Sequence, residues 1–442
     1  MCSILFSTKK HDKDKIEQAN KILQLRGPDH TTVLEVRGHT YVHNLLSITG
    51  TFTKQPYISD DIYLIYNGEI YNYKEFGDYS SDGECIIPLY KEYGPDFVKH
   101  LDGEFAIVLV DYSKNIVVIS TDPFKTKPLF LAREGNNIAA CTYRTPLEIL
   151  GYKGVKKAQP NTYYVIDLST MKTEYSQLTG YDLNQHKDSY EDWLHAFHRS
   201  IEKRVQNTNK NFFLGLSSGY DSGIILSELQ RLHIPSFTYS LLGTENEEVI
   251  RARLSQNPDF IKSFLRHKSD TEYAESHRWI VQNTEPFNYT IRSSTSNYVE
   301  NGLLVDDWGS NNFATICKMA REQNCRICFS GTGADEIISD YGFNGTKIYN
   351  HSNFGGKFPA DLKTIFPWAS FYGSTMESYI AKEEYVGGSF GIEVRYPFLD
   401  KDVVQEFLWL AADLKNQQYK APIDYYFRKF NIQFEQGVKK GF

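Results

Sequence analysis

The run Phe212-Phe213-Leu214-Gly215-Leu216-Ser217-Ser218-Gly219-Tyr220-Asp221-Ser222 is the first stretch whose residue types could do chemistry. Its apolar part has no helical spacing and breaks into small polar residues, which predicts a buried strand ending in a tight loop. Ile224, Ile225, Leu226 and Leu229 then share one helical face, so the loop stands at a helix N-terminus. Free backbone N–H groups there, with the Ser217 and Ser222 hydroxyls, make a cradle for an anion. Asp221 would repel a phosphate in that cradle unless a cation lay between them, which points to Mg²⁺ carried by a nucleotide. The other candidate is Cys2. With Met1 removed, Cys2 has a thiol and a free α-amine of reference pKa about 7.7 to 8.0, a nucleophile with its own base. Taken by itself, an early strand residue is the simpler account of Cys2.

The elements that must position these groups fall into two sets. A chain of 442 residues is too long for one core, and 41% hydrophobic with 23% charged residues is ordinary globular composition. Short β-branched and aromatic segments (Tyr63–Tyr66, Phe105–Val110, Ile116–Ser120, Tyr163–Ile166) lie between turn signals such as Asn67-Gly68 and Asp102-Gly103, and predict two packed antiparallel sheets. Composition turns polar from Gly180 to Asp188. Ser189 to Val205 then reads as an amphipathic helix with Trp193, Ala196, Phe197 and Ile201 inward. Beyond it, strands (Phe212–Leu216, Ser236–Leu241, Arg326–Phe329) alternate with helices, which implies a parallel sheet with its ligand at the carboxyl ends of the strands. The predicted domains are therefore 1–180 and 181–442.

The net charge of −7 argues against a nucleic-acid partner. No apolar run approaches the roughly 20 residues of a membrane span, and the start lacks a signal-peptide pattern, so a cytoplasmic location is expected. The six cysteines are scattered, which fits a reducing compartment. Cys325 and Cys328 form a CxxC with no second pair, and burial in a strand is favoured over zinc.

Further motifs resemble known families. Arg26-Gly27-Pro28-Asp29, Tyr66-Asn67-Gly68-Glu69, Ser81-Asp82-Gly83-Glu84, Leu101 to Ala106 and Thr121-Asp122-Pro123-Phe124, with Cys2, resemble the class II glutamine amidotransferase domain. The resemblance implies an Ntn-hydrolase αββα sandwich in which Cys2 attacks the glutamine side-chain amide. Asn67 and the Gly68 N–H would form the oxyanion hole, and Glu69 and Asp82 would hold the α-ammonium. The family arginine that grips the α-carboxylate is replaced by Leu45, so Arg26 or Arg37 would substitute, or glutamine binds weakly. Lys125 stands where a glycine is expected.

In the second half, Ser217 to Ser222 resembles the pyrophosphate loop of ATP pyrophosphatases, with Ser218 in place of one glycine. Ser330-Gly331-Thr332-Gly333-Ala334-Asp335-Glu336, Gly391 to Asp400, and Lys439-Lys440-Gly441-Phe442 resemble the remaining signatures of the asparagine synthetase family, which is related to the β-lactam synthetases. By that resemblance the fold is an α/β ATP-pyrophosphatase domain. Asp221 and Asp335 share Mg²⁺; Ser217, Gly219 and Ser222 bind pyrophosphate; Ser330, Gly331 and the backbone near Tyr239 hold adenosine. Lys439 offsets charge at the reacting phosphorus, and Phe442 anchors the terminal segment. Thr332 stands where asparagine synthetases carry glutamate, and threonine is too weakly acidic to be a base near neutral pH. Glu393 becomes a candidate base, with a buried pair to Arg395 as the structural alternative.

The leading expectation is a glutamine-hydrolysing, ATP-dependent ligase that adenylates a small-molecule or peptide carboxylate and converts it to an amide, with a homodimer one assembly open to it. An intramolecular cyclase of the β-lactam or lasso-peptide kind is the alternative, favoured by Leu45 and Thr332 and opposed by Cys2. A non-catalytic regulatory subunit is the third reading.

Overall fold

The computed structural model describes residues 1–440 apart from 244, 257, 268 and 294–297. Gly441 and Phe442, and with them the expected anchor, lie outside the described residues. The N-terminal half holds two six-stranded sheets. In the first, the order is Lys156–Lys157, Phe130–Glu134, Asn137–Cys141, Ser3–Ser7, His39–Leu45, His30–Val36. The second runs Thr173–Gln177, Thr162–Asp167, Ile116–Thr121, Gly103–Asp111, Ile62–Ile70, Tyr57–Ser59. Neighbouring strands are antiparallel throughout both.

The near-continuous apolar strands follow from burial on both faces. Alternation sends Ile65, Val108 and Val110 between the sheets against Ile4, Phe6 and Tyr41, while Leu64, Ile107 and Leu109 pack outward against Ile86 and Leu89 of helix Ile86–Tyr93. Helix Lys13–Leu23 covers the other sheet through Ile16, Ala19 and Leu23. The layers are thus helix, sheet, sheet, helix.

Helix Glu191–Val205 opens the second half with Trp193, Ala196, Phe197 and Ile201 buried. A five-stranded parallel sheet follows, ordered Ile261–His267, Ser236–Leu242, Asn211–Gly215, Cys325–Phe329, Glu393–Arg395. Cys325 and Cys328 are buried on its fourth strand as free thiols. Strand order reverses direction between Asn211–Gly215 and Cys325–Phe329, where such sheets open a crevice at their carboxyl ends. The loops carrying Asp221 and Asp335 leave these two strands. No helix among the described residues is long and apolar enough to cross a membrane.

Helix Thr375–Ser389 lies where the halves meet and is buried along most of its length. Its Glu384 pairs with Arg26 at 2.8 Å and Lys127 at 3.0 Å from the N-terminal half. Arg204 likewise pairs with Glu104 at 3.0 Å and Asp400 at 2.8 Å, all three side chains nearly inaccessible.

Candidate active site

In the N-terminal half, Cys2 precedes the central strand Ser3–Ser7 and its thiol is buried, accepting the Leu46 N–H at 3.4 Å. Burial pushes the thiol up to about 11, against the pull of the N-terminal ammonium. Asn67, Gly68 and Glu69 sit on strand Ile62–Ile70, paired with Ala106, Phe105 and Glu104. Asn67 is fully buried and neither its Oδ1 nor its Nδ2 has a hydrogen-bond partner among the described residues. An amide left this way costs about 1 to 3 kcal/mol, as expected of a group whose partner arrives with a substrate. Gly68 has φ +143° and its backbone lies so close to Glu104 O that a Cβ would clash at 1.9 Å, so this turn of the backbone requires glycine.

Glu69 accepts from Thr49 Oγ1 at 2.5 Å, and Asp82 from Tyr66 OH at 2.6 Å and the Ile70 N–H at 2.9 Å. Burial raises both carboxyls, Asp82 to about 6 and Glu69 well above its usual range with Glu393 and Asp82 adding to the effect. A cationic ligand group would relieve that.

Two sequence expectations are corrected here. Arg26 does not offer its guanidinium to a ligand: Nε donates to Cys2 O, Nη1 to Tyr143 OH and Glu384 O, and Nη2 to Met1 Sδ and Glu384 Oε2, with the side chain fully buried. Arg37 sits at the far tip of the His30–Leu45 hairpin, paired with Asp61 at 2.5 Å on the surface. Neither replaces the guanidinium missing at Leu45. Glu393 is not a base in the nucleotide cavity. It is buried at the junction, 2.7 Å from Arg395 and 3.5 Å from the Met1 ammonium. Burial opposes its ionisation, but Arg395, that ammonium and Lys127 outweigh it and hold the carboxyl down to about 2.

In the C-terminal half, a cavity of about 330 Å³ opens at the carboxyl ends of the parallel strands, lined by Ser217, Asp221, Ser222, Tyr239, Ser330, Asp335 and others. The Ser217 N–H donates to Ser222 Oγ at 3.0 Å and the Gly219 N–H to Ser217 Oγ at 3.1 Å, so the loop is drawn into a tight turn before helix Tyr220–Arg231. Gly331 permits the second loop to close on the first: a Cβ there would lie 2.8 Å from Asp221 Cβ. Tyr239 stacks on Phe264 with ring centroids 5.1 Å apart, forming one wall. After Gly333 the chain makes one wide helical turn, Ala334–Ser339, which carries Asp335.

Three residues that no sequence motif marked bear on the cavity: Glu383 lines it beside Lys439, while Lys420 and Arg253 do not line it but hold its carboxylates and its first loop. Lys420 Nζ lies 2.5 Å from Asp221 Oδ1 and 2.8 Å from Asp335 Oδ1. Lys439 Nζ lies 2.7 Å from Asp335 Oδ2. The two lysines outweigh burial and hold Asp335 below the usual carboxylate range. Arg253 donates to Gly219 O at 2.8 Å, and Glu383 accepts from Ser330 Oγ at 2.7 and 2.8 Å. Only the motif lysine carried a local signal. Lys420, Arg253 and Glu383 arrive from distant helices or helix ends, and nothing near them in sequence points to the cavity.

The carboxylates of Asp221 and Asp335 are hard oxygen donors of the kind Mg²⁺ takes, but two ammonium groups already neutralise them. A dication fits this pair only when phosphate oxygens enter with it.

An αββα sandwich that buries a cysteine and, among the described residues, an unpartnered amide, joined to a parallel sheet with acidic and basic groups at its crevice, defines a two-centre protein class. Residues 1–159 match the glutamine amidotransferase domain family and residues 192–371 the asparagine synthase family. Among curated proteins, the putative asparagine synthetase [glutamine-hydrolyzing] 1 of Methanocaldococcus jannaschii is 28% identical over 407 residues, covering 84% of this chain and 69% of the relative. The probable asparagine synthetase of Schizosaccharomyces pombe is 26% identical, covering 91% and 74%, and the human asparagine synthetase 23%, covering 88% and 73%. The chain thus matches, in order, the glutamine amidotransferase domain and the asparagine synthase domain, and is similar to the asparagine synthetases across both.

Proposed function

We propose that this protein is a glutamine-hydrolysing, ATP-dependent ligase, with a glutaminase domain at 1–180 and a synthetase domain at 181–442. The observation that carries the reading is the convergence of Asp221, Asp335 and Lys439 on one cavity at the strand reversal, with the buried Lys420 paired to both aspartates. There, positive and negative groups alternate as a polyphosphate and its cation require.

With Met1 removed, the Cys2 α-amine takes the thiol proton and the thiolate attacks the glutamine amide. Asn67 Nδ2 and the Gly68 N–H receive the oxyanion, while Glu69 and Asp82 hold the α-ammonium. In the other centre, Ser217, Gly219 and Ser222 bind the leaving pyrophosphate, and Ser330, Gly331 and the backbone at Tyr239 hold adenosine. Bound between Asp221 and Asp335, Mg²⁺ would neutralise the phosphates. Lys439 steadies negative charge as the acceptor carboxylate attacks the α-phosphorus, and Lys420 holds both aspartates in place, keeping Asp335 ionised while burial raises Asp221. Aspartate is the first acceptor to test, given the names of the relatives. The six free cysteines suit a cytoplasmic location. The cyclase reading is not favoured, since Cys2, Asn67, Glu69 and Asp82 have no part in it.

The test measures glutamate and pyrophosphate separately, with glutamine alone and then with ATP, Mg²⁺ and a panel of acids beginning with aspartate. Cys2→Ala abolishes glutamate release and leaves acid-dependent pyrophosphate release. Pyrophosphate without any glutaminase activity in the wild type would overturn the reading.

A further inference from the structure

Consecutive residues of helix Thr375–Ser389 serve opposite sides of the molecule. Glu384 faces the N-terminal half through Arg26 and Lys127, whereas Glu383, turned by about 100° around the helix axis, lines the cavity. Ser330 Oγ holds both Glu383 oxygens and also accepts the Thr332 N–H at 3.0 Å. The carboxylate is thereby tied to the loop that carries Asp335.

Amide formation needs a proton acceptor, because a nitrogen that adds to an acyl carbon becomes positively charged and must lose a proton. Several carboxylates line the cavity, and most are committed elsewhere. Asp221 and Asp335 are paired to Lys420. Asp307 takes Lys382 at 2.8 Å and caps its helix through the Ser310 N–H at 2.7 Å. Glu245 accepts the Ser218 N–H at 2.6 Å, and Glu300 accepts Tyr298 OH on an exposed hairpin. Glu336 is 1% exposed and receives Tyr341 OH and the Gly333 N–H. Among the described residues Glu383 has no ion pair and no backbone N–H, only hydroxyl donors, and it is partly accessible from the cavity.

The geometry points to Glu383 as the general base of the ligase step, the carboxylate that takes the proton from the nitrogen nucleophile as it adds to the activated acyl carbon. This rests on the ligase reading above. The nitrogen lone pair forms the C–N bond while the carbonyl π pair moves onto oxygen. Glu383 accepts one N–H proton, the carbonyl re-forms, and the C–O bond to AMP breaks with its electron pair going to the phosphate oxygen. Acyl-adenylate and ammonia thus become amide, AMP and one proton, which Glu383 returns to solvent.

Burial pushes the Glu383 carboxyl up to about 7, against the pull of the Ser330 and Thr332 hydroxyls, and Glu384 and Glu336 add to the rise. Tyr396, Cys317 and Cys328 are the other titratable groups that feel its charge, and its neighbour Lys382 turns to Asp307. A base poised near the ambient pH is the most effective kind.

The test compares full-length wild type, Glu383→Gln and Glu383→Asp with ATP, Mg²⁺, ammonium chloride and aspartate or whichever acid of the panel the wild type accepts. Acid-dependent ATP–pyrophosphate exchange in Glu383→Gln stays within about twofold of wild type, while amide formation drops by roughly 10²-fold or more. Glu383→Asp recovers part of the loss, and, with rates compared at equal free ammonia, the wild-type rise in amide formation through about pH 7 is missing from Glu383→Gln. Exchange and amide formation falling together would mark a nucleotide contact and overturn the assignment, as would unchanged amide formation in Glu383→Gln. A wild type that releases no acid-dependent pyrophosphate removes the ligase reading and the assignment with it. Wild-type-minus-variant infrared spectra give a readout without turnover: a protonated carboxyl that ionises near pH 7 is expected, and one ionised throughout the neutral range overturns the proposal.

Discussion

Arg26 and Glu384 form an ion pair at 2.8 Å in which neither side chain is exposed to solvent. The arginine also donates to the carbonyl of Cys2, and the glutamate also binds Lys127. The proposed nucleophile of one half is therefore held through a single guanidinium by a helix of the other half. Glu384 is adjacent to Glu383, which puts the two centres on neighbouring residues of one helix.

Glu384→Gln leaves the buried Arg26 without a carboxylate, which costs about 3 to 5 kcal/mol, whereas Arg26→Met leaves Glu384 with Lys127 and costs less. Arg26→Met or Glu384→Gln should lower the denaturant midpoint and also reduce glutamate release, because Cys2 loses its backbone contact. Chemical denaturation followed by the glutaminase assay checks both. The double variant should be less destabilised than the sum of the singles, since no lone charge remains.

Leu45 leaves the glutamine α-carboxylate without a guanidinium, and Arg26 and Arg37 are both otherwise engaged. Leu45→Arg should lower the KM for glutamine about tenfold, since a charge-assisted hydrogen bond contributes about 1.5 to 3 kcal/mol. Steady-state glutaminase kinetics read this, and kcat should change little.

Lys420 is 2% exposed and stands between two carboxylates. Lys420→Met should reduce pyrophosphate release by roughly 10² or more, the scale seen when one preorganised electrostatic donor is removed. Glutamate release, which depends on the other half, should remain. Asp335→Asn should behave the same way, and separate assays of the two products check both variants.

Glu285 of the C-terminal half accepts the Arg144 and Thr145 N–H groups of the N-terminal half at 3.0 and 2.9 Å, while its other oxygen is buried without a partner among the described residues. Burial raises this carboxyl from 4.5 to about 7 despite those bonds. Being raised in the folded state, it favours folding below about pH 4.5, and that contribution is lost as pH climbs toward 7. Glu285→Gln should remove this slope and leave the variant relatively more stable at pH 7 and above, by about 1.4 kcal/mol for every tenfold difference in proton affinity between the folded and unfolded chain. Urea midpoints measured across that range give the difference.

The two-layer division, the parallel sheet and most of the cavity loop could be read from local pattern. Apolar runs buried on both faces, the break at Ser217, and the helix face of Ile224 and Leu229 are short-range properties, and the strands expected at Phe105–Val110, Ile116–Ser120, Tyr163–Ile166 and Phe212–Leu216 form within two residues of those bounds. The segment Tyr63–Tyr66 instead runs on to Ile70, because Asn67-Gly68, read as a turn signal, pairs with Ala106 and Phe105 as strand. The helix predicted from Ser189 begins at Glu191, a fraying difference at an end.

What local pattern could not carry was which charges meet. Glu393 and Glu383 are ten residues apart, both glutamates near buried elements, yet one is locked at the junction by Arg395 and the other lines the cavity. Arg26 sits in a motif that suggests ligand binding and spends every donor on the fold. Sequence by itself determined the strands, helices and loop types of this protein, because those follow from side-chain periodicity and turn chemistry along a few residues. Only the tertiary structure decided the partners of its buried charges, because Coulomb and desolvation energies depend on distance in space, and Lys420 reaches Asp221 across 199 positions of chain.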